Sequence, residues 1–186
     1  MYYYLIDDRA TKTSSPQLTQ KVRSWIKASQ IAGEQLVLHS PQQIIETSKQ
    51  LAKKNPVPTI VVIGDDTSLD LTISGIQQAS TKATVGYIPL QKDSPSALLL
   101  GITTWQAACR LLQQRRTKEF HLLSINDTAC LQIAQLCSPK EKHHTAQKVT
   151  IRINNKLTIA AEAEAIIITN ALNDSHTEGY DWLLEV

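Results

Sequence analysis

Short apolar or β-branched runs alternate with segments of helical periodicity over the first 118 residues, and this alternation limits the fold more than any other feature. The runs have the length and composition of strands that are buried on both faces, at residues 2–6, 34–38, 59–63 and 84–89. Strands that alternate with helices favour parallel crossovers. We therefore predict a doubly wound parallel α/β sheet.

The segments between these runs carry apolar residues at helical spacing. One helix is predicted where Ser40 precedes Pro41, because a serine cap followed by a proline suits a first turn. Trp25 and Trp105 lie on apolar helix faces, and we expect both to be core residues. The predicted helix starts and ranges are Pro16, Ser40-Pro41, residues 68–79 and residues 103–115.

From residue 119 onward the pattern changes to short alternating runs, which are typical of antiparallel sheet. Asn154-Asn155 separates two of these runs, and asparagine tolerates the left-handed backbone of a tight hairpin. We expect a hairpin there, with Ile151 opposite Leu157 or Ile159. The predicted strands are residues 120–125, 129–136, 149–153, 157–161 and 165–168.

Composition argues against several classes of protein. The formal net charge is +2, from 19 basic and 17 acidic residues, which does not indicate a nucleic-acid partner. No apolar run approaches the roughly 20 residues of a membrane-spanning helix, and the N-terminus lacks the basic flank of a signal peptide. The three cysteines form no C-x-x-C pair, and His143 and His144 have no ligand at metal-site spacing. We expect a cytoplasmic protein without a membrane span or a bound metal.

Two ordered motifs resemble a known family. Residues 60–70, Ile-Val-Val-Ile-Gly-Asp-Asp-Thr-Ser-Leu-Asp, resemble the strand, GGDGTLN loop and helix of the diacylglycerol kinases and related lipid kinases. Residues 85–90, Val-Gly-Tyr-Ile-Pro-Leu, resemble the family's GIIPLGTGN strand, and Leu-Gly-Ile at residues 100–102 matches the sequence that follows that loop. Both motifs occur in the family's order and spacing.

The resemblance extends over essentially the whole chain. His39-Ser40-Pro41 is similar to the family's TTP-like turn, residues 167–171 resemble its VGNA strand, and residues 181–186 resemble its DGLLDV segment. It implies an N-terminal α/β domain of the NAD kinase and diacylglycerol kinase type, with ATP and Mg²⁺ in a cleft beside a β-sandwich. We expect the first domain to be residues 1–118 and a shortened β-sandwich-like domain to be residues 119–186.

The resemblance also implies a set of nucleotide-binding residues, while the substitutions within it oppose nucleotide binding. Gly64 and Asp66 keep the family's first glycine and its carboxylate, but Asp65 and Thr67 replace the other two glycines. With Asp70, three carboxylates crowd the place of a triphosphate, and like charge opposes an anion unless a divalent ion intervenes. The implied ATP-binding residues are Ser40, Gly64, Asp65, Asp66, Thr67, Ser68, Lys92, Asp93 and Ser94.

The second loop has diverged further. Residues 91–95, Gln-Lys-Asp-Ser-Pro, replace G-T-G-N-D, so side chains are expected where backbone would approach the ligand. Lys92 would still be able to contact a phosphate. In open α/β sheets ligands bind at the carboxyl ends of the strands, so Ser40, residues 64–68 and residues 91–94 are expected to converge there.

Several of these residues also have a purely structural interpretation. Asp66, Thr67 and Ser68 are expected to cap the helix that follows them, whatever else they do. Asp7 and Asp8 stand where the family has an Asn-Pro pair, and we interpret them as a turn at the end of a strand.

Three functions remain open from the sequence. The family's base is the aspartate of a DGE motif, which this sequence lacks, so no catalytic residue is assigned. The leading hypothesis is a pseudokinase, a binding or regulatory protein with weak affinity or none for ATP and Mg²⁺, and with a nucleotide or lipid as partner. The alternatives are an active magnesium-dependent lipid or small-alcohol kinase that depends on Asp66, and a structural partner protein with an empty cleft.

A shortened β domain would expose strand edges, and an exposed apolar edge is a template for another chain. Residues 165–168 and 183–186 are the candidate edges, which predicts a homodimer. The alternative is a compact sheet packed on the first domain.

Overall fold

The fold is that of a computed structural model, which describes residues 1–13, 16–29, 31, 33–120, 122–125, 128–131, 133–137, 147–153, 157–163, 165–169 and 183–185. Its helices are α1 (Asp8–Thr13), α2 (Pro16–Ala28), α3 (Pro41–Ala52), α4 (Asp66–Gln78), α5 (Pro95–Leu99) and α6 (Trp105–Gln114). The first strands are β1 (Tyr2–Asp7), β2 (Gly33–Leu38), β3 (Thr59–Gly64), β4 (Thr84–Pro89), β5 (Thr117–Glu119) and β6 (Leu123–Ile125). The later strands are β7 (Thr128–Cys130), β8 (Ile133–Cys137), β9 (Gln147–Ile153), β10 (Leu157–Ala163), β11 (Ala165–Thr169) and β12 (Leu183–Glu185).

A six-stranded sheet with the order β2-β1-β3-β4-β12-β5 forms the centre of the fold. Its first four strands are mutually parallel, which confirms the predicted α/β class. Their register aligns Asp7 with Leu38 and Gly64 with Pro89, so all four strands end at the same edge of the sheet. We call this the carboxyl edge. The loops that follow these strands therefore meet there.

Burial explains why these strands lie at the centre. Every residue of β1 is buried, and β3 and β4 are buried except for their first residues. Strand β2 has one neighbour and is largely exposed or half-buried, as an edge strand is. Buried aromatic and aliphatic side chains from the inner strands and the flanking helices fill one core, which includes Tyr4, Ile63, Ile73 and Leu112.

The predicted helices all form, with small changes at their ends. Ser40 caps α3 and accepts the N–H of Gln43 at 3.2 Å, as the Ser40-Pro41 pair predicted. Helix α4 begins at Asp66, two residues earlier than expected. Helices α1 and α5 were not predicted, because six and five residues are too few to show a periodic pattern. No helix in the described part of the chain is long and apolar enough to span a membrane.

The two tryptophans are less buried than predicted. Trp25 and Trp105 are half-buried and pack against the core from outside. Both also line an open groove of about 620 Å³ between α2 and α6, together with polar side chains from the first turns of α2. Their indole rings span the border between the core and this groove, a position that suits a large amphipathic side chain.

Strands β6 to β11 form three antiparallel pairs, in agreement with the predicted change to antiparallel sheet. Strand β9 pairs with β10 so that Ile151 lies opposite Ile159, which confirms one of the two expected pairings. The predicted strand at residues 129–136 is instead two strands, because β7 pairs with β6 and β8 pairs with β11. The Asn154-Asn155 turn lies outside the described residues, and so does most of the polar stretch around His143 and His144.

The last strand corrects one expectation. Residues 183–186 were interpreted as a free edge, but β12 pairs with β4 on one side and with β5 on the other. Strand β4 would otherwise expose a row of unpaired backbone groups, and β12 covers it. The six-stranded sheet thus takes strands from both sides of residue 118, and the division into two domains at that residue stays a prediction.

Candidate functional site

The structure places the loops that carry the predicted site residues at the carboxyl edge, where Ser68 is hydrogen-bonded to Asp7 and Asp65, and Ser94 to Asp66. Hydrogen bonds link the ends of all four parallel strands: Asp8 after β1 contacts His39 after β2, and Ser68 after β3 contacts Asp7 at the end of β1. Asp66, the first residue of α4, accepts a hydrogen bond from Ser94 in the loop after β4. We call the residues 64–68 the first loop and the residues 91–94 the second loop. The expected convergence is therefore confirmed.

The first loop is a helix cap built from its own side chains. Asp65 is the N-cap of α4, and its Oδ1 accepts the Ser68 N–H at 2.8 Å. Ser68 Oγ in turn accepts the Asp65 N–H at 3.3 Å, which completes a capping box. The cap is therefore Asp65 rather than the predicted Asp66. Thr67 is exposed, and only Ser68 of the three predicted capping residues takes part.

Ser68 also ties this cap to the first strand. Its Oγ lies 2.8 Å from Asp7 Oδ2 and 2.6 Å from Asp65 Oδ1, so two carboxylates share one hydroxyl proton. Ser68 and Asp7 are 1% and 2% exposed, so the serine's hydrogen bond to Asp7 is shielded from water. A buried polar group needs a partner, and here each supplies the other.

Gly64 owes its presence to packing rather than to a turn. A Cβ at this position would lie 2.5 Å from Ser68 Oγ and 2.8 Å from Ser68 Cβ, closer than side-chain atoms approach. The glycine thus lets the first turn of α4 pack directly on the end of β3. The one glycine that survives from the family motif is explained without a ligand.

Asp66 joins the first loop to the second. Its Oδ1 accepts the Tyr87 hydroxyl at 2.9 Å and also a short hydrogen bond from Ser94 Oγ. Its Oδ2 lies 3.5 Å from the Ser96 N–H. Burial raises the pKa of the Tyr87 phenol, and the neighbouring Asp66 adds to this, so Tyr87 stays protonated and donates. The carboxylate is occupied by donors of its own chain.

The second loop differs from its expected form. Ser94 is buried and caps α5 by accepting the Ala97 N–H at 2.9 Å. Gln91, Lys92 and Asp93 are exposed, so only one of the four side chains turns inward. Asp93 has a φ of 57°, a left-handed conformation, at the position where the resemblance has a glycine. A non-glycine residue therefore adopts here a backbone conformation that ordinarily favours glycine.

Asp7 ends β1, as predicted, but Asp8 begins α1, so a helix rather than a turn follows the strand. Asp7 accepts the backbone N–H of Arg9 at 2.9 Å and pairs with its guanidinium at 2.7 Å. Burial raises the pKa of Asp7, but hydrogen bonds from Arg9 and Ser68 more than offset this and hold it below its usual value. Asp8 lies between Lys12 and His39, at 2.7 and 3.0 Å, and hydrogen bonds from both lower its pKa. An acidic residue at the start of α1 suits the positive end of the helix.

The sequence did not identify Arg9, Tyr87 or Ser96 as residues that contact the carboxylates of this site. Tyr87 was counted only as part of a strand, and nothing in a single sequence places its hydroxyl 2.9 Å from Asp66. Arg9 had a local signal, because a basic residue two positions after a strand-end aspartate is within reach of it.

The three carboxylates at residues 65, 66 and 70 do not converge on one point. Asp65 caps α4, Asp66 contacts the second loop, and Asp70 accepts the N–H of Leu131 at 3.0 Å. In the described ranges no group of three or more His, Cys, Asp or Glu side chains is placed to hold a metal ion. Each of the three carboxylates already accepts a hydrogen bond from the protein itself, so none is left free to bind a metal ion.

Comparison with known proteins supports the fold alone. No family model matches the chain, and no curated protein matches it. Among solved structures, two proteins from Bacillus anthracis strain Sterne that are named provisionally as diacylglycerol kinases superpose with TM-scores of 0.72 and 0.70, at 16% and 15% identity. A third, named as a diacylglycerol kinase from the same strain, superposes with a TM-score of 0.68 at 15% identity. The chain has a diacylglycerol kinase-like fold.

These superpositions are unequal in extent. They cover 91% of this chain but only 62% to 65% of each solved chain. The chain therefore spans less than two thirds of the length of the structures that it resembles. The similarity concerns the arrangement of helices and strands described above.

The packing role of Gly64 gives a testable prediction. Gly64→Ala should destabilise the fold by roughly 1–3 kcal/mol, because the added methyl group collides with Ser68. In a Ser68→Gly background the same substitution should cost much less, giving a coupling energy of about 1 kcal/mol or more. Urea unfolding of the four proteins measures it. Equal costs of Gly64→Ala in both backgrounds would show that the contact with Ser68 is not the constraint.

Proposed function

We propose that this protein keeps a diacylglycerol kinase-like fold without kinase activity and acts as a binding or regulatory protein. The observation that carries the proposal is the state of Asp66, the carboxylate that survives from the kinase motif. Tyr87 and Ser94 both donate to one of its oxygens. A carboxylate held in this way is not free to take part in metal or phosphate binding.

The start of α4 supports the same conclusion. A helix N-terminus binds phosphate through free backbone N–H groups and the helix dipole. Here the Asp65 carboxylate accepts the N–H of Ser68, so a side chain of the protein takes the position of an anion. A phosphate would have to displace that carboxylate and then lie beside it. The residues present do not fit a triphosphate.

The balance of charge points the same way. Asp7, Asp65 and Asp66 lie along the carboxyl edge, and the guanidinium of Arg9 is already paired with Asp7. Lys92 is exposed in the second loop and belongs to none of the ion pairs in the described part of the chain. One flexible lysine at the surface is worth little against several fixed carboxylates. We infer weak affinity or none for ATP and Mg²⁺.

An active magnesium-dependent kinase is the second candidate, and the fold similarity to proteins named as diacylglycerol kinases favours it. It would require Asp66 to leave Tyr87 and Ser94 and to act on a metal ion. The partner of a non-catalytic protein would be a nucleotide or a lipid. We propose a cytoplasmic location, because the three cysteines are odd in number and form no C-x-x-C pair, so the sequence encodes no disulfide framework.

Turnover of MgATP separates the two candidates. The wild-type protein should release no ADP above background, with or without a diacylglycerol in mixed micelles, because the surviving carboxylate is engaged. Asp66→Ala should behave as the wild type does, and so should Gln78→Ala, a control at the exposed far end of α4. ADP release that requires Mg²⁺, is lost in Asp66→Ala and is kept in Gln78→Ala would overturn the proposal.

We also propose self-association through β11. This strand pairs with β8 on one side, and no strand in the described part of the chain pairs with its other side. An apolar edge of Ile166, Ile167 and Ile168 favours pairing with a second copy. Light scattering should therefore show a dimer at high protein concentration. Ile167→Pro removes a backbone donor and should reduce the dimer. A wild-type protein that stays monomeric at every concentration would contradict this.

A further inference from the structure

Two side chains of α4 hold the backbone of residues 129–131 against the helix. Ser74 Oγ donates to the Ala129 carbonyl at 3.0 Å and accepts the Ala129 N–H at 3.2 Å. Asp70 Oδ1 accepts the Leu131 N–H at 3.0 Å. Ala129 and Leu131 are fully buried, so water cannot satisfy these backbone groups. We call this set of contacts the α4 latch.

The latch follows from simple geometry. Asp70 and Ser74 are four residues apart and lie on one face of the helix. Ala129 and Leu131 are two residues apart in an extended segment, so their N–H groups point to the same side. The two helix side chains thus take the role that a neighbouring strand would have. They connect the helix of the first loop to a segment that comes about 60 residues later in the chain.

Asp70 is an unusual residue for this position because it is a half-buried acid. Burial raises its pKa to about 6, the hydrogen bond from Leu131 opposes this, and repulsion from Asp66 and Asp65 adds to it. No ion pair in the described part of the chain involves Asp70. When ionised it carries a poorly solvated and uncompensated charge.

Among the residues that the structure describes, no cation pairs with this carboxylate. The charged residues of α3 are Glu46 and Lys49, and neither pairs with Asp70. Strand β4 carries Tyr87, which donates to Asp66, and β7 contains Cys130 as its titratable residue. Helix α5 and strand β3 contain no charged residue.

We propose that Asp70 makes the α4 latch sensitive to protons, so that residues 129–131 dock most firmly on α4 when its carboxyl group is protonated. The protonated group still accepts the Leu131 N–H through its carbonyl oxygen, and it buries no charge. The ionised group accepts a stronger hydrogen bond but must lose its hydration to do so, and burial is the larger of the two effects.

The sign of the pH dependence follows directly. A carboxyl group whose pKa is higher in the docked state than in the open state favours docking below its ordinary pKa, near 3.8. The equilibrium constant for docking falls by roughly tenfold per pH unit as the pH rises from 3.8 to about 6. Above about pH 6 this constant no longer changes with pH. The latch is therefore loosest at neutral pH and tightens on acidification.

Hydrogen exchange of the Leu131 amide tests this. In the wild-type protein the protection of this amide, corrected for the intrinsic exchange rate, should fall by roughly tenfold per unit between about pH 4 and pH 6 and then level off. Asp70→Asn keeps an acceptor at the same place without a charge, and its protection should not depend on pH. Ser74→Ala is the matched control, which should lower the protection at every pH but keep the slope.

The Val61 amide of the central strand β3 gives the reference for unfolding of the whole protein. Its protection should exceed that of Leu131 at every pH, because unfolding the whole protein costs more free energy than opening the latch, although both openings release Asp70. A flat curve for Leu131 in the wild-type protein would overturn the proposal, as would an unchanged slope in Asp70→Asn. If Val61 and Leu131 share one curve, Asp70 acts on global unfolding and the local latch is wrong. The wild-type measurement decides this even if a variant fails to fold.

Discussion

Parallel pairing of β1, β2, β3 and β4 is the constraint from which the rest of the structure follows. Parallel strands require a crossover between each pair, so the chain must return over the sheet after every strand. Each strand then ends at the same edge and is followed by the start of a helix. This brings Asp7, Ser40, Gly64 and Ser94 to one place although they are far apart in sequence.

Such an edge is rich in backbone N–H groups, and something must satisfy them. In many proteins of this architecture a bound anion does so. Here side chains of the protein do so at each helix start: Ser40 caps α3, Asp65 caps α4 and Ser94 caps α5. The same residues therefore stabilise the fold and compete with a ligand. This double role is the physical basis for proposing that the kinase function has been lost.

The sequence predicted the parallel sheet and four of the six helices because both depend on local pattern. The apolar run at residues 59–63 and the Ser40-Pro41 pair each carry their structure within a few residues. The meeting of the loops at one edge of the sheet was predicted for the same reason, since parallel strands end at the same edge. The link from Asp66 to Tyr87 was not predicted, because it depends on the orientation of side chains 21 residues apart.

The pairing of β12 escaped prediction for a related reason. The sequence of Leu183–Glu185 is typical of a short strand, but residues near it in sequence do not determine which strands it pairs with, here β4 and β5. The cap of α4 was displaced by one residue, since Asp65, Asp66, Thr67 and Ser68 are all good capping residues. Only the geometry at the end of β3, where Gly64 allows close packing, selects Asp65 among them.

Amide chemical shifts measured during a titration with MgATP test the central claim most directly, because they report on each loop separately. If side chains of the protein already occupy the carboxyl edge, amides of residues 64–68 and 91–94 should show no saturable shift below about 1 mM ligand. Saturable shifts at both loops below that concentration, with one common dissociation constant, would contradict the account.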